Sequence, residues 1–494
     1  MKRLICLLAC ILLAAASARA VESCSWYEVF VRSYQDSDGD GLGDIAGLTT
    51  RLGYLQDMGY NGLWLMPVMP SPSYHKYDVT DYMAIDPEYG TEEDFRAFIS
   101  AAHEKGFQVI VDLPVNHTST QHPWFRAACA ALSAGEESPY TAYYNFRREA
   151  GDGYVPLGET CWYYEERFAG GGMPDLNLAN EAVREEIRAI LAWWLKEMDV
   201  DGFRLDAVTS YFTGDTAQNV AFLAWLKQVC EELKPGSYLV GECWAGLSVI
   251  AEYYRSGVDS FFLFPASQAE GFIAQSLRGR SGRAAKFAKA LQNVLDAIPE
   301  GTLAPFLSNH DTGRTIGSVQ GRSNPAAAKF AEGVLNMLPG CVFTYYGEEI
   351  GMVGSGDDPN KRLAMYWSDA DMTLQPPGVT NLEYAYPSVE AQQGDPASLL
   401  NYCRAVNRLR LSCPAIARGE NTLLSTEGEL LLMRRQTDAQ TVLIAVNFSP
   451  KEAQTAELAT SVTLIGQVNV AEEEATLDGQ TLTVPAYGIV VMGE

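Results

Sequence analysis

Histidine is scarce in this chain, with five copies among 494 residues, and no two of its ten cysteines stand in a Cys-x-x-Cys spacing. Zinc-ribbon and dithiol redox chemistry therefore have no sequence support. Basic residues are also in deficit. Lys and Arg number 36 against 62 Asp and Glu, a formal charge of -26. A surface of that sign repels nucleic acid and anionic lipid, so no nucleic-acid partner is expected. After an apolar run from Leu4 to Ala16 nothing comparable follows, and that run is itself shorter than the roughly 20 residues a spanning helix needs, so no membrane insertion is expected.

What is present is ordinary for a folded protein, with 47% apolar and 11% aromatic residues. The length suits a barrel of about 250 residues with insertions plus a further domain. Residues 1–20 read as a secretory signal: Lys2 and Arg3, the apolar run, then Ala18-Arg19-Ala20 before Val21, with cleavage expected after Ala20 and an extracellular location. A lipoprotein signal using Cys10 is the weaker alternative, because few apolar residues precede it. Removing Lys2, Arg3 and Arg19 takes the charge to -29, and Cys6 and Cys10 leave with them. Eight cysteines allow 105 full pairings. Cys129 with Cys161, in one loop-rich insertion, and Cys403 with Cys413 are the pairs expected to bridge.

The stretch Val200 to Val208 (VDGFRLDAV) reads as a buried strand that delivers Arg204 and Asp206 to one face, since side chains two apart share a face. A single such pair most often means a structural ion pair. Three more strand-like runs, however, end in polar groups: Phe107 to His117 (FQVIVDLPVNH), Tyr238 to Trp244 (YLVGECW) and Leu303 to Asp311 (LAPFLSNHD). In a parallel barrel those ends converge on one rim, where active sites lie. There Asp112, Asn116, His117, Glu242, Asn309, His310 and Asp311 would meet Arg204 and Asp206. An arginine can hold a carboxylate ionised as a nucleophile, and several carboxylates flanked by imidazoles suit glycosidic bond cleavage.

The remaining strands are expected at Trp26–Tyr34, Tyr60–Val68, Val258–Pro265 and Val342–Tyr346, with helical periodicity between them. This predicts an α/β fold, a (β/α)8 TIM barrel. The segment after the third strand is irregular and rich in Gly, Pro, Tyr and Trp, and beyond Ala415 short alternating strands predict a C-terminal antiparallel β-sandwich. The expected division is 1–20 signal, 21–117 and 180–414 barrel, 118–179 insertion and 415–494 sandwich.

These four polar-ended runs resemble, in order and in residue type, the four signature regions of the α-amylase family of glycoside hydrolases (family 13). Met173-Pro-Asp-Leu-Asn177 is similar to the fifth, in the version typical of members intermediate between the oligo-1,6-glucosidase and neopullulanase groups. The resemblance implies that residues 118–179 form the insertion called domain B. It implies Asp206 as nucleophile, Glu242 as acid and base, and Asp311 as stabiliser of the distorted, positively charged sugar. Arg204 would keep Asp206 ionised, His117 and His310 would donate to sugar hydroxyls, and Tyr77 would stack on the sugar beside the scissile bond. Trp244 and Arg362 are further expected substrate contacts, although an ordinary surface loop around Arg362 is equally consistent with its surroundings. Asp112 is expected to orient its neighbours. Glu242 should lie among apolar groups, Cys243 and Trp244 being candidates, so that it stays protonated near neutrality.

Directly after the first strand comes Asp36-Ser-Asp38-Gly-Asp40-Gly-Leu42-Gly-Asp44. Its spacing matches the opening of a helix-loop-helix calcium loop, but the twelfth position is Gly47 where that loop needs a bidentate Glu, which excludes an EF-hand. A similar Asp-rich loop binds Ca2+ in many α-amylase relatives, which implies Asp36, Asp38, Asp40, Leu42 and Asp44 as ligands. The alternative is a solvated acidic turn, against which stands the mutual repulsion of so many carboxylates. Many α-amylases carry Lys-His shortly after the nucleophile and bind a second calcium; Ala207-Val208-Thr209 stands there instead, so no second site is expected despite Asn116.

Relatives that trim chain ends carry an Asp three residues before the Tyr77 position, and this chain has Tyr74. The expectation is thus a secreted, monomeric, retaining α-amylase cleaving internal α-1,4 bonds of starch, glycogen and maltodextrins. A cyclomaltodextrinase, neopullulanase-type or transglycosylating enzyme is the runner-up. A catalytically inactive carbohydrate-binding relative is disfavoured because all three carboxylates are present.

Overall fold

The computed structural model describes residues 24–168 and 170–494; the expected signal, residues 1–20, lies outside them. Eight parallel strands form the central sheet: β1 (Ser25–Val29), β2 (Gly62–Leu65), β3 (Gln108–Leu113), β4 (Gly202–Leu205), β5 (Tyr238–Gly241), β6 (Ser260–Phe262), β7 (Thr302–Ala304) and β8 (Val342–Tyr345). They neighbour one another in the order β7-β6-β5-β4-β3-β2-β1-β8. Pairing of Ser25 with Val342 joins the first strand to the last. The ring closes between β7 and β8 through the Cys341 N–H to the Leu303 carbonyl (2.8 Å), the Phe343 N–H to the Pro305 carbonyl (3.0 Å) and a Phe306–Phe343 bridge. The (β/α)8 TIM barrel expected from the sequence is therefore present.

Every strand is shorter than its apolar run. The named strands end at Leu205, Gly241 and Ala304, and Asp206, Glu242 and Asp311 stand beyond those ends rather than within them. The chain leaves the ladder where polar side chains must turn into the mouth. Below the mouth the lumen is filled by rings, Trp26, Trp64, Tyr238, Phe262, Phe306 and Phe343. Trp26 stacks on Tyr238 (5.1 Å between centroids) and on Phe343 (5.6 Å). Gly62 is required opposite: a Cβ there would lie 2.4 Å from the Trp26 ring.

Outer helices follow from local chemistry. Helix Glu92–Glu104 opens on a Thr91/Asp94 capping box and buries Phe95, Phe98, Ile99 and Ala102 on one stripe. Helix Glu181–Ala192 passes into a π-helical turn, Trp193–Glu197, that seats Trp194 in the core with its indole N–H on the Tyr82 carbonyl (3.0 Å). Between β3 and β4 the chain makes helix Pro123–Ala134 and a small antiparallel sheet of Phe146–Arg147, Tyr163–Glu165 and Tyr154–Pro156, and returns to the rim through a His117–Asp175 bridge.

The C-terminal region is a five-stranded and a three-stranded antiparallel sheet around their own apolar cluster, Leu432, Leu443, Leu482 and Val490 among its members. It docks on the barrel through Tyr487 stacked on Phe330 (4.4 Å) and Phe448 against Phe287 and Phe330. The expected disulfides do not form. Cys403 lies within helix Leu399–Ser412 and Cys413 caps its end; ten helical residues span about 15 Å, too far for a bridge. Cys129 packs on the core from helix Pro123–Ala134, whereas Cys161 is exposed in a turn. Among the described residues no helix is long and apolar enough to cross a membrane.

Candidate active site

A cavity of about 390 Å3 opens at the C-terminal mouth of the barrel, lined by His75, Tyr77, His117, Phe168, Met173, Asp206, Glu242, Trp244, Asp311, Asp358 and Arg362. At its floor Arg204, on β4 and fully buried, is the shared cation. Its Nη1 lies 2.6 Å from Asp206 Oδ1 and 2.9 Å from Asp112 Oδ1, and its Nη2 lies 2.9 Å from Glu242 Oε1. That last contact is close but poorly aligned, since Nη2 makes no hydrogen bond. Glu242 Oε2 accepts from the Ala207 N–H (3.0 Å), which Ala207 presents by adopting φ of 43°. A non-glycine residue in the left-handed region is a strained choice, and it sits directly after Asp206.

Burial pushes the Glu242 carboxyl up to about 7; Arg204 opposes this, and Asp206 and Asp311 reinforce it. The expected apolar neighbours are only half the cause. Cys243 is buried, but Trp244 is 51% exposed, stacked on Phe264 (4.9 Å) as part of the cavity wall. Burial also raises Asp112 to about 6. Asp311 is the opposite case: burial alone would raise it, but His310, Arg362 and Arg204 outweigh burial and hold it far below the usual carboxylate range. One carboxyl poised to give a proton therefore faces another that stays charged.

His310 is fully buried, its Nδ1 2.5 Å from Glu28 Oε1 and its Nε2 3.1 Å from Asp311 Oδ2 and 2.6 Å from Tyr77 Oη. Burial opposes its charge, yet Asp311 and Glu28 raise it to about 10. Both of its nitrogens are engaged, and one of them anchors Asp311. His117 lines the cavity, with Nε2 3.3 Å from the Tyr77 carbonyl, and burial lowers its pKa. The Tyr77 hydroxyl donates to Asp112 Oδ2 (2.8 Å), which leaves its ring facing the cavity. Arg362 pairs with Asp311 Oδ1 (2.8 Å) and donates to the His310 carbonyl (3.2 Å), so it is no mere surface loop residue.

Glu28, Asp358, Phe168 and Met173 were not foreseen. Glu28 had a signal, a lone carboxylate within the apolar strand Trp-Tyr-Glu-Val-Phe. Asn116 donates to Asp175 Oδ1 (3.1 Å) and belongs to the rim scaffold.

Away from the mouth, Asp36, Asp38 and Asp40 bring carboxylate oxygens within 4.8 Å of one another. Three hard oxygen donors so close fit a divalent cation such as Ca2+. Asp44 is outside this cluster: its oxygens accept from Ser37 and the Gly47 N–H, which caps helix Ile45–Asp57. Leu42 donates its N–H to Asp40 (2.7 Å). Gly47 stands where a Cβ would fall 2.2 Å from the Gln35 carbonyl oxygen, so a Glu has no room at this twelfth position.

Residues 28–419 match the family model described as "Alpha amylase, catalytic domain". The chain belongs to the α-amylase family. Alpha-amylase 3 of Dictyoglomus thermophilum is 35% identical over 443 residues, 86% of this chain and 84% of that protein. The 4-alpha-glucanotransferase of Thermotoga maritima is 31% identical, covering 86% and 96%. Among solved structures, Amy13B of Eubacterium rectale superposes with a TM-score of 0.92 at 39% identity over 95% of both chains. An α-amylase family member is thus a glycoside hydrolase or glycosyl transferase acting on α-glucosidic bonds.

Proposed function

We propose that this family member is a secreted, retaining α-amylase that cleaves internal α-1,4 bonds of starch, glycogen and maltodextrins. Asp206 attacks the anomeric carbon while Glu242 protonates the leaving oxygen; Glu242 then takes a proton from water, which releases the sugar from Asp206. Arg204 pairs with Asp206 and holds it in place, and Asp311, held charged by His310 and Arg362, stabilises positive charge on the sugar ring. Tyr77 and Trp244 offer apolar faces to pyranose rings. Asp36, Asp38 and Asp40 would hold Ca2+, whose charge removes their repulsion and stiffens the turn after β1. Secretion rests on residues 1–20 of the sequence.

Internal cleavage rests on Tyr74. It is half-buried, its ring edge-on to Phe30 (6.3 Å) and under the Arg362 guanidinium (5.9 Å), and it provides no carboxylate to grip a terminal sugar. The exposed Trp244 ring supports one other reading, transglycosylation, because an apolar platform at the mouth favours an incoming sugar over water. The test is a product time course on soluble starch and cyclodextrins. Iodine staining should collapse while few reducing ends have appeared; persistent staining with accumulating glucose or maltose, or faster attack on cyclodextrins, overturns internal cleavage.

A further inference from the structure

Arg362 reaches Asp311 from a stretch that has little structure of its own. Between residues 352 and 388 the only helix is Asp358–Lys361 and there is no strand. Something else must hold this wall of the cleft in place: Arg314, Tyr345 and Tyr346 donate to the Lys361 and Leu363 carbonyls, and the contacts from Arg362 onward run to the residues just after β1. Ser33, fully buried, donates its hydroxyl to the Arg362 carbonyl (2.8 Å) and accepts from the Met365 N–H at its own carbonyl (2.7 Å). The Trp367 indole N–H donates to the Tyr34 carbonyl (2.6 Å), Gln35 donates to Asp371 (3.1 Å), and the Leu374 N–H donates to the Gly41 carbonyl (2.7 Å). Arg51 pairs with Asp371 and lies over Trp367 (4.0 Å).

We propose that Ser33 is a positioning residue for the reaction: with Tyr34 and Gln35 it clamps segment 362–374, and so sets the placement of Arg362 against Asp311 and the affinity for glucan on that wall. This rests on the glucanase reading above. Ser33 holds the segment at two points, through its hydroxyl on the Arg362 carbonyl and its carbonyl on the N–H of Met365 three residues later. Removing the hydroxyl alone leaves a carbonyl of a buried residue without that partner while β1 and the barrel stay intact.

The test is a double-mutant cycle on maltopentaose hydrolysis by the full chain. Ser33→Ala should lower kcat/KM about fivefold, the low end for one unpaired buried acceptor, with the loss carried by KM and kcat held within about twofold. Ser33→Thr, which keeps the hydroxyl, should recover most of it. In an Arg362→Ala background Ser33→Ala should have no further effect. Additive losses, or a Ser33→Ala enzyme that loses thermal stability with KM unmoved, overturn the proposal. Should Ser33→Ala not fold, Trp367→Phe removes a neighbouring tether and enters the same cycle. A wild-type enzyme inert towards maltopentaose but active on another α-glucoside overturns the glucanase reading alone, and the cycle run on that substrate still decides Ser33.

Discussion

One half of the barrel lumen is made of rings and the other of charges. Towards the N-terminal ends of the strands, Trp26 stacks on Tyr238 and on Phe343, and no salt bridge joins these rings. Towards the C-terminal ends, Arg204, Asp112, Asp206, Glu242, His310, Glu28 and Asp311 share one buried network. The first half gains from removing surface from water. The second is expensive in the same environment, because buried charges need pairing and some of the carboxyls are forced towards protonation. The same strands supply both halves, so the division of labour is set by where along each strand a residue lies.

That division can be broken from either side. Glu242→Gln should lower hydrolysis by about 10³-fold or more while thermal unfolding barely moves, since the acid is lost and an amide fills its place; near-normal turnover would remove Glu242 from its role. Phe343→Ala should do the reverse, costing about 3–5 kcal/mol of stability by urea unfolding with kcat of the folded enzyme unchanged. A fall in kcat of similar size would show the two halves to be coupled.

Calcium sharpens the contrast, because the acidic turn lies outside both halves. Chelation should lower stability by about 3 kcal/mol relative to a hundredfold excess of Ca2+ over its Kd, read as a lower unfolding temperature that Ca2+ restores. An Asp38→Asn variant with the same response as wild type would show that the turn is not the site. The smallest expected effect is in pH dependence. With the Glu242 carboxyl at about 7, activity should fall as pH rises through 7, because the acid must carry its proton. A carboxyl raised in the folded state binds more protons there than unfolded, so its stabilising contribution is complete below its ordinary value near 4.5 and is lost as pH rises towards 7. Asp311 runs the other way, losing its contribution as pH falls below the usual carboxylate range. Glu242→Gln should flatten the first trend in unfolding temperature and leave the second.

The barrel and the convergence of three carboxylates on its mouth were legible because an apolar run that ends in a carboxylate has little stabilising purpose, and several such runs converge only in a parallel barrel. Asp206, Glu242 and Asp311 were found that way. Glu28 was not, because its meaning depends on His310, 282 residues away. The same holds for His310, whose type and position show in the sequence while its partners Glu28 and Asp311 do not. Strand lengths were overread, since Leu303 to Asp311 is apolar enough for a strand yet its regular ladder ends at Ala304, with one Phe306–Phe343 bridge beyond it, Pro305 having no N–H to offer the ladder. Asp44 reads as one more ligand in a row of carboxylates, and that its side chain caps helix Ile45–Asp57 shows only in the structure.

The seam between β1 and β8 has a consequence for how the chain reaches this state. Ser25 must find Val342, and Trp26 must find Phe343, so the ring cannot close until nearly the whole barrel has been synthesised. Asp206, Glu242 and Asp311 are all made before the strand that completes their enclosure. High contact order of this kind slows folding and leaves β1 and β7 as open sheet edges in the meantime. A chain emerging from its N-terminus would therefore carry all three cavity carboxylates before they are assembled, and the proposed activity should appear in one step, with the arrival of β8.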